Sequence, residues 1–274
     1  MTSTRSMSPE EAAKFALRMQ VARVNMSAER DISKSGTVRS RYIICSTPRS
    51  GSTLLGDYLL TSGVAGVPYE YLNDSHIAAY GERIGRQITD LADYLGQVEM
   101  LRTTPSGVFG MKAHYRQTAT IINSREILVP FLRRFQKIIR IVRRNKLAQA
   151  VSAYRALKTG FWTRRHEELA GGQSPVAISY DAGGIAEALS NCIAEEKGWE
   201  SAIAATGQKA LVVAYEDLVA NPDRTLEQVF TFLEIPALLP IRMKSKLQRQ
   251  GDRINAEFAV RFLADIQAKA LPEG

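Results

Sequence analysis

Residues 42–55 read Tyr42-Ile43-Ile44-Cys45-Ser46-Thr47-Pro48-Arg49-Ser50-Gly51-Ser52-Thr53-Leu54-Leu55. Tyr42 to Cys45 is a short apolar, β-favouring run, the pattern of a buried strand. Ser46 to Gly51 is a tight turn of Ser, Pro and Gly. Thr53 to Leu60 starts a helix with Leu54, Leu55, Tyr58 and Leu59 on its apolar side. A strand, a glycine turn and a helix N-terminus in succession aim unpaired backbone N–H groups at one point, which also carries the positive end of the helix dipole. Such a point suits a phosphate or sulfate. Arg49, Ser50, Ser52 and Thr53 add side-chain donors.

Against the P-loop pattern G-x-x-x-x-G-K-[ST], Gly51-Ser52-Thr53 falls on the last three positions. Ser46 replaces the first Gly and Ser52 replaces the Lys that normally reaches the β/γ-phosphates. The cation of this loop is Arg49, two positions before the Gly. An ordinary Ser/Pro/Gly turn between strand and helix is the plain alternative.

With 274 residues the chain has room for one large α/β domain or two small ones. Its 45% hydrophobic and 23% charged residues are ordinary for a soluble globular protein. A net charge of +8 and a pI near 9.5 favour anionic ligands. The basic residues cluster at Arg133-Arg134, Arg140 to Lys146, Arg164-Arg165 and Arg242 to Arg253, a scatter that fits a folded anion site better than a nucleic-acid arm. Two cysteines, Cys45 and Cys192, give no disulfide framework, and without CxxC, HExxH or neighbouring histidines a metal site has no support. No signal-peptide pattern and no 18-residue apolar run is present, so the expected location is cytoplasmic.

Residues 1–40 form a polar, helix-prone extension with a helix start at Ser8; residues 41–274 are expected to be one domain. Gly63 to Pro68 reads as a short strand or turn. Ile77, Tyr80, Ile84, Ile88, Leu91, Leu95 and Val98 mark an amphipathic helix over 77–98, with Thr89-Asp90 a candidate break. Gly107 to His114 is a strand, Ile121 to Phe135 a helix, Lys137 to Val142 a strand and Asn145 to Lys158 a helix. Phe161 to Asp181 reads as an insertion. Ile185 to Ala205 is a long helix, Ala210 to Tyr215 a strand and Pro222 to Leu233 a helix. The alternation predicts an α/β fold with a central parallel sheet flanked by helices. Ligands of such sheets bind at the carboxyl ends of the strands, where the glycine loop, Glu70, His114 and Arg143-Arg144 all fall.

The strand at Ile138 to Val142 ends in Arg143-Arg144, where a P-loop NTPase usually has a magnesium-binding Asp. Ser152 follows Arg144 by two helical turns. An Arg and a Ser hydroxyl so placed can share one phosphate. Two anion sites, at Arg49 to Thr53 and at Arg144/Ser152, imply a nucleotide with phosphates at both ends of its ribose.

These stretches together resemble sulfotransferases that use 3′-phosphoadenosine-5′-phosphosulfate (PAPS), and in particular the bacterial family of trehalose 2-sulfotransferase with the related nodulation-factor and lipopolysaccharide sulfotransferases. The resemblance runs from about residue 41 to 263. It is carried by the loop, by Gly66-Val67-Pro68-Tyr69-Glu70-Tyr71, Gly110-Met111-Lys112, Gln149-Ala150-Val151-Ser152, Gly198-Trp199, Val213 to Leu218 with Asn221-Pro222, and Arg249-Gln250-Gly251-Asp252.

The resemblance implies a P-loop-kinase-like sulfotransferase fold and in-line, metal-free sulfuryl transfer from PAPS to a hydroxyl of a sugar or glycolipid, leaving 3′,5′-adenosine bisphosphate. Arg49, Ser50, Gly51, Ser52 and Thr53 would hold the 5′-phosphate, Arg144 and Ser152 the 3′-phosphate, and Arg249 and Gln250 the nucleotide. Lys112 would reach the sulfuryl or bridging oxygen. Glu70 is the favoured general base, with His114, in Lys112-Ala113-His114, its rival. Pro48, Pro68, Tyr69, Glu70 and Tyr71 would face the acceptor, and Pro48 replaces a Gln of the trehalose enzymes. The family implies a homodimer with peripheral access to a membrane-bound acceptor. The rival readings are a kinase-like phosphotransferase and a non-catalytic module for anionic glycans.

Overall fold

The computed structural model describes residues 7–122, 124–171, 178–236, 240–241 and 253–270. The strands are β1 (Ser40–Ser46), β2 (Val108–His114), β3 (Lys137–Val142) and β4 (Ala210–Ala214). Among the described residues they form one parallel sheet in the order β2–β1–β3–β4. Burial is unbroken from Tyr42 to Ser46 and from Val108 to Ala113, as a strand covered on both faces requires. Alternate residues of β1 feed two apolar layers. Ile43 and Cys45 pack with Phe109, Met111 and Trp199, whereas Tyr42 and Ile44 pack with Leu55, Leu59 and Leu226. The strand order reverses at β1, so the crevice beside its carboxyl end is the switch point where open α/β sheets bind ligands.

Helices cover both faces. Before and after β1 come α1 (Pro9–Asn25), α2 (Ser52–Thr61), α3 (Asp74–Ile84) and α4 (Leu91–Arg102). After β2 come α5 (Tyr115–Ile121) and α6 (Arg125–Arg133), and after β3 come α7 (Lys146–Thr159), α8 (Arg164–Leu169) and α9 (Ala182–Thr206). Following β4 are α10 (Tyr215–Ala220), α11 (Pro222–Leu233) and α12 (Arg253–Ala270). None of the described helices is long and apolar enough to cross a membrane.

Helix α1 starts as its sequence predicts: Ser8 and Glu11 exchange side-chain and backbone bonds in a capping box. The amphipathic stretch 77–98 is two helices. Gly85, at φ +69°, closes α3, and Asp90 accepts from the N–H groups of Ala92 and Asp93 to open α4. The expected helix over 121–135 is the shorter α6, and an unexpected helix, α5, precedes it, beginning directly at the end of β2 with no glycine or proline to mark the change. Residues 63–68 carry neither strand nor helix. The segment after them lies beside β2, where the Lys112 N–H donates to the Tyr69 carbonyl at 2.9 Å. Within 161–181 the structure builds α8.

Candidate active site

The loop after β1 is held from three sides. Gln149 of α7, fully buried, donates from Nε2 to Thr47 Oγ1 and to the Pro48 carbonyl, each at 2.8 Å. Trp199 of α9 donates from Nε1 to the Ser46 carbonyl at 2.8 Å. Arg49 and Gly51 adopt left-handed backbone angles, φ 60° and 93°. A Cβ at Gly51 would lie 2.4 Å from the Tyr215 ring, so both the turn and the close approach require glycine there. The first turn of α2 has no side-chain cap, and the buried Ser50 hydroxyl has no partner among the described residues. An uncapped helix start beside an orphaned hydroxyl is a cradle suited to a phosphate or sulfate group.

The arginines divide by depth. Arg49 donates from Nε to Ser152 Oγ at 2.9 Å and from Nη1 to the Trp162 carbonyl. Burial lowers its pKa to about 10, and the nearby Arg143 charge adds to the effect. Arg143 donates to the Arg49 carbonyl at 3.3 Å and stacks on the Tyr215 ring at 4.9 Å. Arg144 turns outward and is exposed, and it pairs with Asp217 through Nη1 at 2.7 Å. Ser152 therefore bonds Arg49, and Arg144 is held elsewhere. Glu216 fixes the backbone between them by accepting the N–H groups of Arg144 and Asn145, each at 3.1 Å.

On the other side of the loop Glu70, Lys112, His114 and Thr53 meet. Lys112 Nζ lies 3.0 Å from Glu70 Oε1 and donates to Thr53 Oγ1 at 3.2 Å. His114 Nε2 is 3.3 Å from the same Glu70 oxygen, and its Nδ1 is 2.9 Å from Ser46 Oγ, its register partner on β1. Gln117 and Asn73 donate to Glu70 Oε2 at 3.1 and 3.3 Å. Burial works to raise the Glu70 pKa, but the charges of His114 and Lys112 win and hold the carboxyl well below the usual range. The carboxylate is thus ionised and pre-aimed.

The remaining sequence candidates fall as follows. Pro48 contributes its carbonyl to Gln149. Pro68 is buried against α2, with its carbonyl 3.5 Å from where a Gly56 Cβ would be, and Tyr69 is partly buried. Tyr71 is fully buried, stacks on Phe109 at 6.0 Å and donates to the Val67 carbonyl, so its ring belongs to the core. Arg249 and Gln250 lie outside the described residues.

Sequence reasoning missed the gathering of the histidines. His76 of α3 and His166 of α8 both lie within electrostatic range of Glu70, and burial pushes each down to about 4. Nothing in their spacing signals this, because α3, β2 and α8 are brought together only by tertiary packing. Among the described residues no group of three or more His, Cys, Asp or Glu is placed to hold a metal ion. Arg143, placed by the sequence at the strand's carboxyl end but given no role apart from Arg144, is the arginine that meets the loop, as strand alternation through Val142-Arg143-Arg144 implies.

Residues 41–265 match the model of the Stf0 sulphotransferase family. The chain is 27% identical over 266 residues to the trehalose 2-sulfotransferase of Mycolicibacterium smegmatis, covering 84% of this chain and 97% of that one. It is likewise 27% identical over 267 residues to the enzyme of the same name from Mycobacterium tuberculosis, with the same coverages. A sulfotransferase structure from Alicyclobacillus acidocaldarius superposes with a TM-score of 0.45 at 15% identity, over 85% of this chain and 96% of that one. The anion cradle, the paired arginines and the Glu70 cluster thus sit inside the matched region, and the chain belongs to the Stf0 sulphotransferase family.

Proposed function

We propose that this sulfotransferase moves a sulfuryl group from PAPS to a hydroxyl of a carbohydrate or glycolipid, with Glu70 as general base. The observation that carries the reading is the single cluster in which Lys112 touches both Glu70 and Thr53, the latter at the start of α2 beside the anion cradle. The names of the two mycobacterial relatives support a sugar acceptor.

The Ser50 to Thr53 segment and Arg49 would take the 5′-phosphate end, and Ser152 with Arg49 or Arg144 the 3′-phosphate. When bound, PAPS supplies the activated sulfuryl group. The chain's task is to align the acceptor oxygen and neutralise charge, which Lys112 and Arg49 do without a metal. Glu70 accepts the acceptor proton. A carboxyl held low is a weak base. Lys112 would also be the residue to pair with the sulfuryl group when PAPS is bound, and a Glu70 that shared this ammonium with a second anion would be the stronger base.

Residues 41–274 are read as the catalytic domain and residues 1–40 as an added helical extension. The free, buried Cys45 and Cys192 support a cytoplasmic location. The exposed Val260, Leu263 and Ile266 of α12 support a homodimer, and the basic net charge supports peripheral approach to a membrane-bound acceptor.

Thermal unfolding with 3′,5′-adenosine bisphosphate, AMP, or ATP with magnesium tests the donor reading. A ligand at a hundred times its Kd adds about 2.7 kcal/mol. Each kcal/mol moves the Tm by about 2–4 °C. The expected result is a shift with the bisphosphate that exceeds the shift with AMP. A shift only with magnesium-ATP would overturn the PAPS assignment.

A further inference from the structure

Four side chains surround the Glu70 carboxylate, two on each oxygen. Lys112 Nζ and His114 Nε2 meet Oε1 at 3.0 and 3.3 Å. Gln117 Nε2 and Asn73 Nδ2 donate to Oε2 at 3.1 and 3.3 Å. Three of the four make a second polar bond within the protein. Lys112 also donates to Thr53, and His114 Nδ1 meets Ser46 Oγ. The side-chain oxygen of Asn73 accepts the Ser75 N–H at 3.0 Å and so caps α3. Gln117 differs. Its Oε1 is buried and has no hydrogen-bond partner among the described residues.

Chemistry fixes which way this amide points. An ionised carboxylate only accepts hydrogen bonds, so the amide nitrogen faces Glu70 and the carbonyl oxygen is the end left over. The backbone beneath is held as well. Helix α5 follows β2 directly, Thr118 Oγ1 donates to the His114 carbonyl at 2.9 Å, and the Tyr115 ring packs edge-on against Trp199 at 5.4 Å. A buried carbonyl oxygen without a donor is costly unless a ligand brings one. Gln117 as a whole is only partly buried, and the Glu70 side chain is 16% exposed, so both border the space open to an acceptor. The two ends of one planar amide share a carbon, which puts the free oxygen beside the carboxylate. On a sugar ring the hydroxyl next to the reacting one stands at a comparable spacing, and it carries the proton that this oxygen lacks.

We propose that Gln117 reads the acceptor while it aims Glu70: its Nε2 holds the carboxylate, and its Oε1 accepts a hydrogen bond from a second hydroxyl, beside the one that is sulfated. The preferred acceptor is therefore a vicinal diol, not an isolated hydroxyl. This rests on the reading of Glu70 as base and of the acceptor as a carbohydrate.

The test uses the full chain with labelled PAPS and trehalose, maltose and glucose as probe acceptors, alongside calorimetric binding of 3′,5′-adenosine bisphosphate. The best-sulfated probe is then compared with its monodeoxy analogues that lack a hydroxyl beside the sulfated one. In the parent, one of these analogues should lose about ten-fold in kcat/KM, the range for one neutral hydrogen bond. Gln117→Met should keep the bisphosphate Kd within about two-fold, lose at least ten-fold in kcat/KM on the full probe, and lose nothing further on the analogue. Its kcat/KM profile should also have an acid limb moved to higher pH, because the ionised carboxylate has lost a donor. The other charged or titratable groups around Glu70, namely Lys112, His114, His76 and His166, stay in place in this variant. A merely structural role would move neither the limb nor the preference between probe and analogue. Gln117→Met that still discriminates against the analogue as the parent does overturns the proposal, and so does an unmoved acid limb. Should Gln117→Met fail to bind the bisphosphate, the parent alone decides: equal kcat/KM on the probe and all its analogues overturns the proposal. A parent that binds the bisphosphate but sulfates no probe overturns the carbohydrate reading and this proposal with it. A parent that does not bind the bisphosphate overturns the donor reading instead.

Discussion

Lys112 Nζ lies 3.0 Å from Glu70 Oε1, and this one contact ties the proposed proton acceptor to the loop after β1, because the same ammonium donates to Thr53. The two side chains reach each other because the Tyr69 carbonyl accepts the backbone N–H of Lys112 itself. The backbone bond fixes the segment carrying Glu70 against β2, and the ion pair then sets the carboxylate's direction.

Replacing Glu70 by Gln keeps the shape and removes the proposed base. We expect kcat to fall by about 10²–10⁴ while bisphosphate binding persists. His114→Gln, which keeps a donor toward Glu70, should lower kcat by less. Steady-state rates of the two variants decide between them, since an equal or larger loss in His114→Gln would reassign the base to His114.

Gln149 is the loop's main side-chain tether, and it is fully buried. Gln149→Leu leaves the Thr47 hydroxyl and the Pro48 carbonyl without their donor. The expected cost is about 1–3 kcal/mol of stability, with weaker bisphosphate binding as well. Urea unfolding and calorimetry measure the two effects. Loss of stability with unchanged affinity would show that the loop keeps its shape without this tether.

Gly51→Ala meets two obstacles, the left-handed backbone and the Tyr215 ring. Shrinking the ring in a Gly51→Ala/Tyr215→Ala double variant relieves the second only. Bisphosphate affinity should therefore drop in the single variant and recover in part in the double. Full recovery would mean that the backbone angle carries no cost.

The strand, loop and helix from Ser40 to Thr61 were legible because each signal is local: an apolar run, a Gly/Pro turn and a helical apolar face. The parallel α/β order is legible in the alternation of strand and helix segments, whereas Glu70, Lys112 and His114 are named together by the family resemblance and meet through tertiary packing, since residues 63–68 carry no strand. The partners of Ser152 were not legible. Two helical turns relate it to Arg144, but the left-handed angle at Arg49 sends that guanidinium to Ser152, while Arg144 follows the strand's alternation outward to Asp217. Nor could a sequence period announce α5, which begins without a punctuating residue. The contacts of Asn25 with His76 and Arg165 were hidden because they come from the polar side of α1, not from its weak apolar stripe.

The buried histidines make the protein acid-sensitive in a defined window. His76 and His166 are 7% and 6% exposed, and burial lowers both from near 6.5 to about 4. Glu70 works to raise both. Lys112, His166 and Arg102 oppose it at His76, and Arg49, Arg18 and Arg165 oppose it at His166. Because the folded value lies below the unfolded one, the unfolded chain binds the proton first. Above pH 6.5 neither state carries it and no penalty exists; between 6.5 and about 4 stability falls as pH falls. By about pH 5 each histidine costs about 2 kcal/mol. Glu70, ionised in both states across most of this window, adds little slope there; its stabilising contribution is lost only as pH falls below the usual carboxyl value of 4.5. Urea unfolding near neutral pH and at about pH 5 should show the parent losing about 4 kcal/mol and His76→Gln losing about half of that. A parent whose stability is flat across the same interval would mean that these two rings take up protons as readily in the folded chain as in the unfolded one.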